Sequence, residues 1–145
     1  MKTGRNNKER HSGTSVPLFK NMNVKELMKK VETGDLESYV SLAECYWNGD
    51  GVKKSKTKAK ELLDEGAQKG SGECAYRLGM LYEKGLTVDQ SYETARSYFM
   101  LAARNHHPAG TYKLAYYYQY GYGIYKDQDE ANKYYQQAKE LGYQE

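Results

Sequence analysis

The sequence has few residues that break or cross-link a chain. Only two prolines occur among its 145 residues, and this scarcity favours helices because proline interrupts helical hydrogen bonding. The two cysteines, Cys45 and Cys74, match no metal-ligand spacing, so we expect both to be reduced, partly buried and hydrophobic in character. No apolar run approaches the roughly 20 residues that cross a bilayer, which predicts that the chain has no transmembrane segment.

The first 21 residues lack the apolar stretch of a signal peptide. A cytoplasmic location is therefore the default expectation, with leaderless secretion left open. This segment has five basic residues against one acidic residue and no hydrophobic periodicity, so it is predicted to be disordered. The remaining residues are close to neutral overall, which argues against a nucleic-acid-binding body.

What the chain does have is a repeat with a period of 36 residues. At this offset Leu42 aligns with Leu78 and Leu114 without any gap. The same offset aligns three further sets: Gly49, Gly85 and Gly121; Ala59, Ala95 and Ala131; and Leu63, Phe99 and Tyr135. The 16 tyrosines suit a thin repeat array, because tyrosine buries its ring while its hydroxyl stays hydrated.

Each unit predicts two helices. The first has apolar residues at helical spacing and ends at a glycine, a residue that readily adopts the left-handed conformation that closes a helix. The second begins at Ser55, Ser91 or Asp127, which are good N-cap residues. One more helix, from Val24 to Glu32, is opened by Asn23 before the first unit.

The predicted fold is all-α, an α/α superhelical solenoid of three 36-residue helix-turn-helix repeats plus an N-terminal capping helix. Polar residues at Gln136, Gln137 and Lys139 are expected on the outer face of the last unit, since terminal units of a solenoid need such a face for solubility. The predicted parts are residues 1–21 as a disordered basic tail, 22–33 as the capping helix, 34–70 as repeat 1, 71–107 as repeat 2, and 108–145 as repeat 3 with a polar C-terminal cap.

The motif shared by the units is clearest in the third. It reads Leu114-Ala115-x-x-Tyr118-x-x-Gly121-x-Gly123-Ile124. This spacing resembles that of the Sel-one-like repeat (SLR) family, relatives of the tetratricopeptide repeats, over about residues 34–143. The resemblance implies an α/α superhelix that serves as an adaptor or scaffold in protein complexes and is usually not an enzyme.

Two residues depart from the family pattern. Thr87 replaces the second loop glycine of repeat 2, so we expect a different turn in that loop. His106 replaces a terminal glycine that Gly70 and Gly142 supply in the other units.

Residues that could carry chemistry are scarce. No spacing of serine, cysteine or histidine indicates a catalytic nucleophile, and no glycine-rich phosphate loop follows a strand. We therefore predict no enzymatic activity, no cofactor and no metal site. The adjacent His106 and His107 would point about 100° apart on a helix and cannot face one metal together. We expect them at a helix end, where they complement the helix dipole.

A run of lysines over residues 53–60 allows two interpretations. It is either a solvated face whose lysines pair with Glu61, Asp64 and Glu65, or a docking patch for an acidic partner, an anionic lipid or nucleic acid. The sequence favours the first interpretation.

On each first helix, one row of residues lies on the side opposite the core. We call this row the outer stripe. In repeat 2, with Ala75, Leu78 and Tyr82 toward the core, Arg77 and Met80 lie on the opposite face. These outer positions differ between repeats, and the stripe runs from acidic in repeat 1 to basic and aromatic in repeat 3. The predicted partner-binding residues are Glu44, Trp47, Arg77, Met80, Lys84, Lys113, Tyr116 and Tyr120.

These residues predict a non-catalytic adaptor that binds another protein or peptide on the concave side of the solenoid. Tyr116, Tyr120 and Lys113 are expected to anchor one end of an extended peptide, because tyrosine and cationic side chains often dominate interface energy. For Trp47 and Tyr116 the alternative is that they only cover neighbouring apolar surface. The alternative function is binding of nucleic acid or an anionic surface through the basic tail and the 53–60 lysine run. We expect a monomer or a weak oligomer.

Overall fold

A computed structural model describes residues 23–145 of the chain. Seven α-helices form the regular structure of this part: α1 (Val24–Glu32), α2 (Leu36–Asn48), α3 (Lys56–Gln68), α4 (Gly72–Lys84), α5 (Tyr92–Arg104), α6 (Pro108–Tyr120) and α7 (Gln128–Glu140). The predicted all-α solenoid is confirmed, including the helix from Val24 to Glu32. The predicted tail lies outside the described residues.

The repeat ends its helices in the same way each time. The first helices stop at Gly49, Gly85 and Gly121, whose φ angles of 77°, 70° and 75° are all left-handed. The second helices begin where Ser55 and Ser91 accept a hydrogen bond from the backbone N–H three residues on. Both features match the predictions, and together they keep each helix pair in the same register within its unit.

Small residues let the two helices of each repeat approach closely. Ala59, Ala95 and Ala131 occupy equivalent positions of the second helices, and none of them is exposed. At Gly79 the approach is closest, because a Cβ there would lie 2.5 Å from Cε1 of Phe99. A glycine is thus needed in the unit whose second helix carries the bulky Phe99.

The two ends of the described array differ in character. Leu27 of α1 is 1% exposed and occupies the position that Leu63 holds in repeat 1, so α1 packs against α2 as a lone second-type helix. At the other end Gln136, Gln137 and Lys139 of α7 are exposed. This polar face is the one that a further repeat would otherwise cover.

The loop of repeat 2 corrects one prediction. Thr87 has a φ angle of 65°, close to the 77° of Gly51 and the 69° of Gly123, so the expected different turn is wrong. The loop keeps its shape because its neighbours at both ends are fixed, and Thr87 adopts a conformation that costs a residue with a Cβ roughly 1–2 kcal/mol. His106 behaves alike, with a φ angle of 60° at the position of Gly70.

Deleting residues 108–145 tests whether the repeats depend on stacking. The deletion removes α6 and α7 and uncovers Phe99, which is 0% exposed in the full chain. We expect circular dichroism to show a lower melting temperature and a loss of helicity larger than two helices account for, because one helix pair cannot bury its own apolar face. The matched control removes residues 1–21 instead and should leave melting unchanged. An unchanged melting temperature after the 108–145 deletion would contradict the stacked fold.

Candidate functional site

The predicted binding residues line one face of the molecule, formed by α2, α4 and α6. Four of them, Glu44, Trp47, Arg77 and Met80, surround a single pocket between α2, α3 and α4. Tyr116 and Tyr120 project from α6 into a separate group of tyrosines. The two predicted lysines have different settings: Lys113 is half-buried in an ion pair, and Lys84 is exposed at the end of α4.

A chain of ion pairs and hydrogen bonds between side chains crosses this face from α2 to α6. Arg77 Nη1 lies 2.8 Å from Glu44 Oε2, and Arg77 Nε lies 2.7 Å from Glu73 Oε2. The other oxygen of Glu73 lies 2.8 Å from His107 Nε2 at the start of α6. Three first helices are therefore joined on one face by contacts between side chains.

The hydrogen bond from His107, followed by the contact with Arg77, lowers the pKa of the Glu73 carboxyl from its usual value near 4.5 to about 2. Because the folded pKa lies below the unfolded one, the ionised Glu73 stabilises the fold at neutral pH. That contribution is lost as the pH falls from about 4.5 through about 2.

His107 has a role that the sequence interpretation missed. The two histidines lie in the turn between α5 and α6, and His107 is the N-cap of α6, where its Nδ1 accepts a hydrogen bond from Gly110 N–H at 3.0 Å. The expectation that both complement a helix dipole at its end is wrong for His107, which begins a helix. Since Nδ1 is the acceptor, the neutral ring carries its proton on Nε2, and this N–H donates a hydrogen bond to Glu73 Oε1.

Lys113 is engaged within the protein. Its Nζ lies 3.0 Å and 2.9 Å from the two oxygens of Glu83, and Tyr117 donates its hydroxyl hydrogen to the same carboxylate at 2.7 Å. Lys113 also lies over the Phe99 ring, 5.9 Å from its centroid. Burial, followed by the bond to Glu83, raises the pKa of Tyr117. This cluster links repeats 2 and 3 through side-chain contacts and lines a depression between them.

Three tyrosines form an accessible aromatic patch at the end of the face. The ring centroids of Tyr116 and Tyr120 lie 4.7 Å apart, and Tyr122 lies 6.0 Å and 6.3 Å from them. Tyr116 is 37% exposed and Tyr120 is 48% exposed. Depressions on both sides of this tyrosine patch are lined further by Tyr112 and Tyr143, whose rings stack at 4.4 Å.

Sequence reasoning found two members of the tyrosine patch and missed the third. Tyr122 follows the glycine that ends α6, so it has no place in a stripe of helical spacing. Tyr143 lies beyond the last helix, so it too has no place in such a stripe. Only the aromatic composition of residues 112–122 could have indicated that these rings meet.

Trp47 has both a packing role and an accessible edge. It is half-buried and packs against the core shared by repeats 1 and 2. Lys56 Nζ lies 4.8 Å from the centroid of its ring, within the range of a cation–π contact. The alternative that Trp47 covers apolar surface therefore has support, although the ring also borders the pocket with Met80.

The lysine run pairs less than expected. Lys60 contacts Asp64 at 2.9 Å, as the solvated-face interpretation predicts. Glu65 instead accepts a hydrogen bond from Tyr39. Within the described residues no other lysine of the run forms an ion pair; the remaining four, all exposed, are Lys53, Lys54, Lys56 and Lys58.

Other chemistry is not evident in residues 23–145. No group of three or more histidine, cysteine, aspartate or glutamate side chains there could hold a metal ion. None of the described helices is long and apolar enough to span a membrane. Cys74 is buried, and that burial raises the pKa of its thiol.

Stacked helix pairs with a shared core define a class of protein, the α/α solenoids of tandem repeats. A family model of the Sel1 repeat matches residues 36–71, 72–107 and 108–143, and the chain belongs to the Sel1 repeat family.

Two curated relatives match part of the array. Over 51 residues the chain is 49% identical to the "ERAD-associated E3 ubiquitin-protein ligase component HRD3B" of Arabidopsis thaliana, covering 34% of this chain and 8% of that protein. Over 95 residues it is 33% identical to "Protein sel-1 homolog 2" of Mus musculus, covering 59% of this chain and 14% of that protein. The chain therefore spans a small part of the length of either relative.

Solved structures share the fold over most of the chain. A Sel1 repeat protein from Oxalobacter formigenes superposes with a TM-score of 0.78 at 28% identity, covering 83% of this chain and 90% of that chain. The protective antigen c5321 of uropathogenic Escherichia coli, described as displaying an SLR fold, gives 0.77 at 29% identity and covers 85% of this chain and 26% of that chain.

Substitutions at His107 test its capping role. His107→Ala removes both the acceptor for Gly110 and the partner of Glu73. We therefore expect the free energy of unfolding to fall by about 1 kcal/mol. His107→Ser should regain most of that loss, because Ser71 caps α4 at the equivalent position of the preceding repeat. Urea unfolding followed by circular dichroism measures both. Equal stability of the alanine variant and the parent chain would show that the cap contributes nothing.

Proposed function

We propose that the chain is a non-catalytic adaptor whose concave face, lined by α2, α4 and α6, binds an extended segment of another protein. The single observation that carries the proposal is the tyrosine patch of Tyr116, Tyr120 and Tyr122. The rings of Tyr116 and Tyr120 contact each other and keep exposed surface, and Tyr122 adjoins them while it stacks on Tyr92. Together they offer a large apolar area with polar hydroxyl edges. Such residues are frequent anchors in protein interfaces.

The ionic contacts support a rigid platform rather than a flexible one. Arg77 and Lys113 are both occupied by carboxylates of neighbouring helices. Their charges are therefore partly neutralised in the unbound protein, and we propose that they orient the face while the tyrosines supply most of the binding energy. A preformed surface loses less conformational entropy when a partner binds.

The family relationship is compatible with this role. One relative is named as a component of an E3 ubiquitin-protein ligase, which is an assembly of proteins. The proposal carries over to this chain a role in a protein assembly, and it does not specify which assembly.

The proposal is tested by Tyr116→Ala combined with Tyr120→Ala. Partners are first captured from a lysate on the full chain and identified by mass spectrometry, and affinity for the purified partner is then measured by calorimetry. We expect the double variant to weaken binding by about 2 kcal/mol or more, which is about thirtyfold, with helicity intact.

Tyr125→Ala is the matched control, since Tyr125 is 92% exposed and lies outside the tyrosine patch. It should leave the affinity unchanged. Normal binding by the double variant, together with weak binding by a variant lacking the 53–60 lysines, would reject the tyrosine patch as the anchor.

A second candidate function is binding of nucleic acid or an anionic surface. The observation that favours it is the group of four exposed lysines in the 53–60 run that form no ion pair within the described residues. Salt separates the two functions, because phosphate binding weakens steeply as salt rises and an aromatic contact does not.

A further inference from the structure

The two spaces between successive repeats are filled differently, although they are built from equivalent positions. Between repeats 2 and 3, Phe99 and Tyr117 meet edge to face with centroids 5.3 Å apart, and Tyr117 is tied to Glu83. The equivalent positions between repeats 1 and 2 hold Leu63 and Leu81. Two leucines occupy less volume than the two aromatic rings. They leave an open apolar space between repeats 1 and 2, whereas the depression between repeats 2 and 3 is lined by tyrosines, Glu83 and Lys113.

That open space is the Trp47 pocket, defined by Ala43, Trp47, Ala59, Leu63, Met80 and Leu81 with Glu44 and Arg77 at its polar edge. Its volume is about 320 Å³. A cavity of roughly 150 Å³ holds a benzene ring, so the pocket has room for an aromatic side chain. Its floor is apolar and buried, since Leu63 is 5% exposed and Ala59 is 0% exposed.

Three exposed lysines that form no ion pair within residues 23–145 lie near residues of the Trp47 pocket. Lys56 lies over the Trp47 ring, and Lys54 packs beside Gly49, next to the pocket residue Asn48. Lys84 follows Met80 by one helical turn and is exposed.

Fewer carboxylates than lysines lie near this mouth, and one of the carboxylates already forms an ion pair. Glu44 is paired with Arg77. Asp50 is exposed in the adjoining loop beside two lysines, Lys53 and Lys54. The mouth therefore has an excess of positive charge.

We infer that the Trp47 pocket receives an aromatic side chain from an acidic segment of the partner, whose carboxylates pair with Lys54, Lys56 and Lys84. The inference rests on the proposed function and names the chemistry of the segment that this face binds. Burying a phenyl ring in the pocket supplies affinity, and the lysines select against neutral and basic segments. The tyrosine patch then holds the continuation of the same segment.

The test measures fluorescence anisotropy of labelled synthetic peptides on the full chain. The first peptide consists of aspartates and glutamates around one central phenylalanine, and the second has alanine at the centre. We expect the phenylalanine peptide to bind roughly tenfold tighter or more, since burying that side chain is worth about 1.5–3 kcal/mol. Equal affinity of the two peptides would overturn the inference.

Filling the pocket tests its location. Leu81→Tyr places in repeat 2 the residue that Tyr117 supplies in repeat 3, and it should abolish the preference for phenylalanine while leaving the alanine peptide unaffected. Met80→Ser acts at the half-buried rim and should lower the affinity for the phenylalanine peptide several-fold even if the tyrosine variant folds poorly. Met28→Ser, on α1, is the matched control and should change nothing. If Met80→Ser and a folded Leu81→Tyr variant both keep the full preference for phenylalanine, the side chain does not bind in the Trp47 pocket and the inference is overturned.

Charge is tested separately. Replacing Lys54, Lys56 and Lys84 by glutamine should weaken both peptides several-fold and flatten their dependence on salt. The matched control makes the same change in net charge at three exposed lysines of α1, namely Lys25, Lys29 and Lys30. Equal effects of the two triple variants would overturn the inference. A single-stranded oligonucleotide that binds more tightly than the phenylalanine peptide would do so too, in favour of nucleic-acid binding.

The tyrosine patch distinguishes failure of this inference from failure of the proposed function. The Tyr116→Ala, Tyr120→Ala double variant should bind the short peptides as the parent chain does, because their phenylalanine sits in the Trp47 pocket. If the peptides fail while a partner still depends on the tyrosine patch, only the pocket assignment is lost. If the peptides bind as expected while the partner ignores the tyrosine patch, only the proposed anchor is lost.

Discussion

The close approach of each first helix to the second helix of its own repeat is the constraint on which the rest of the structure depends. It requires a residue without a large side chain at each crossing, and Ala59, Ala95 and Ala131 meet that need with no exposed surface. Where the facing residue grows to Phe99, the first helix must carry Gly79, because even a Cβ would collide with the ring. Close packing of this kind tolerates little change in volume.

This constraint leaves the other side of the first helices free to vary. The positions that face away from the crossing change along the array. They hold carboxylates in repeat 1, an arginine and a methionine in repeat 2, and tyrosines in repeat 3. Some of these side chains join neighbouring repeats, as Arg77 does between Glu44 and Glu73. Others, such as Tyr116 and Tyr120, contact each other and Tyr122 at tilted angles and keep an accessible surface. A stable frame and a variable face are thus separate properties of the same helices.

The differences between layers show how a repeat protein can acquire distinct sites without changing its fold. In one layer the aromatic pair of Phe99 and Tyr117 packs beside a depression lined by tyrosines, Glu83 and Lys113. The leucine pair of Leu63 and Leu81 leaves the Trp47 pocket in the other layer. Because both layers keep the same backbone arrangement, the side chains at two positions change the shape and the chemistry of the space between repeats.

The sequence by itself determined the period, the seven described helices and the caps at residues such as Gly49 and Ser55, because these depend on local spacing and on single residues. It also placed Tyr116 and Tyr120 on one helix face, because residues four positions apart lie on the same side of an α-helix. It could not determine partners that lie about 30 residues or more apart, such as Lys113 with Glu83 or His107 with Glu73. Only the stacking of repeats brings these groups within hydrogen-bonding distance. The Trp47 pocket likewise appears only in three dimensions, since its walls come from three helices and its volume is what their side chains leave unfilled.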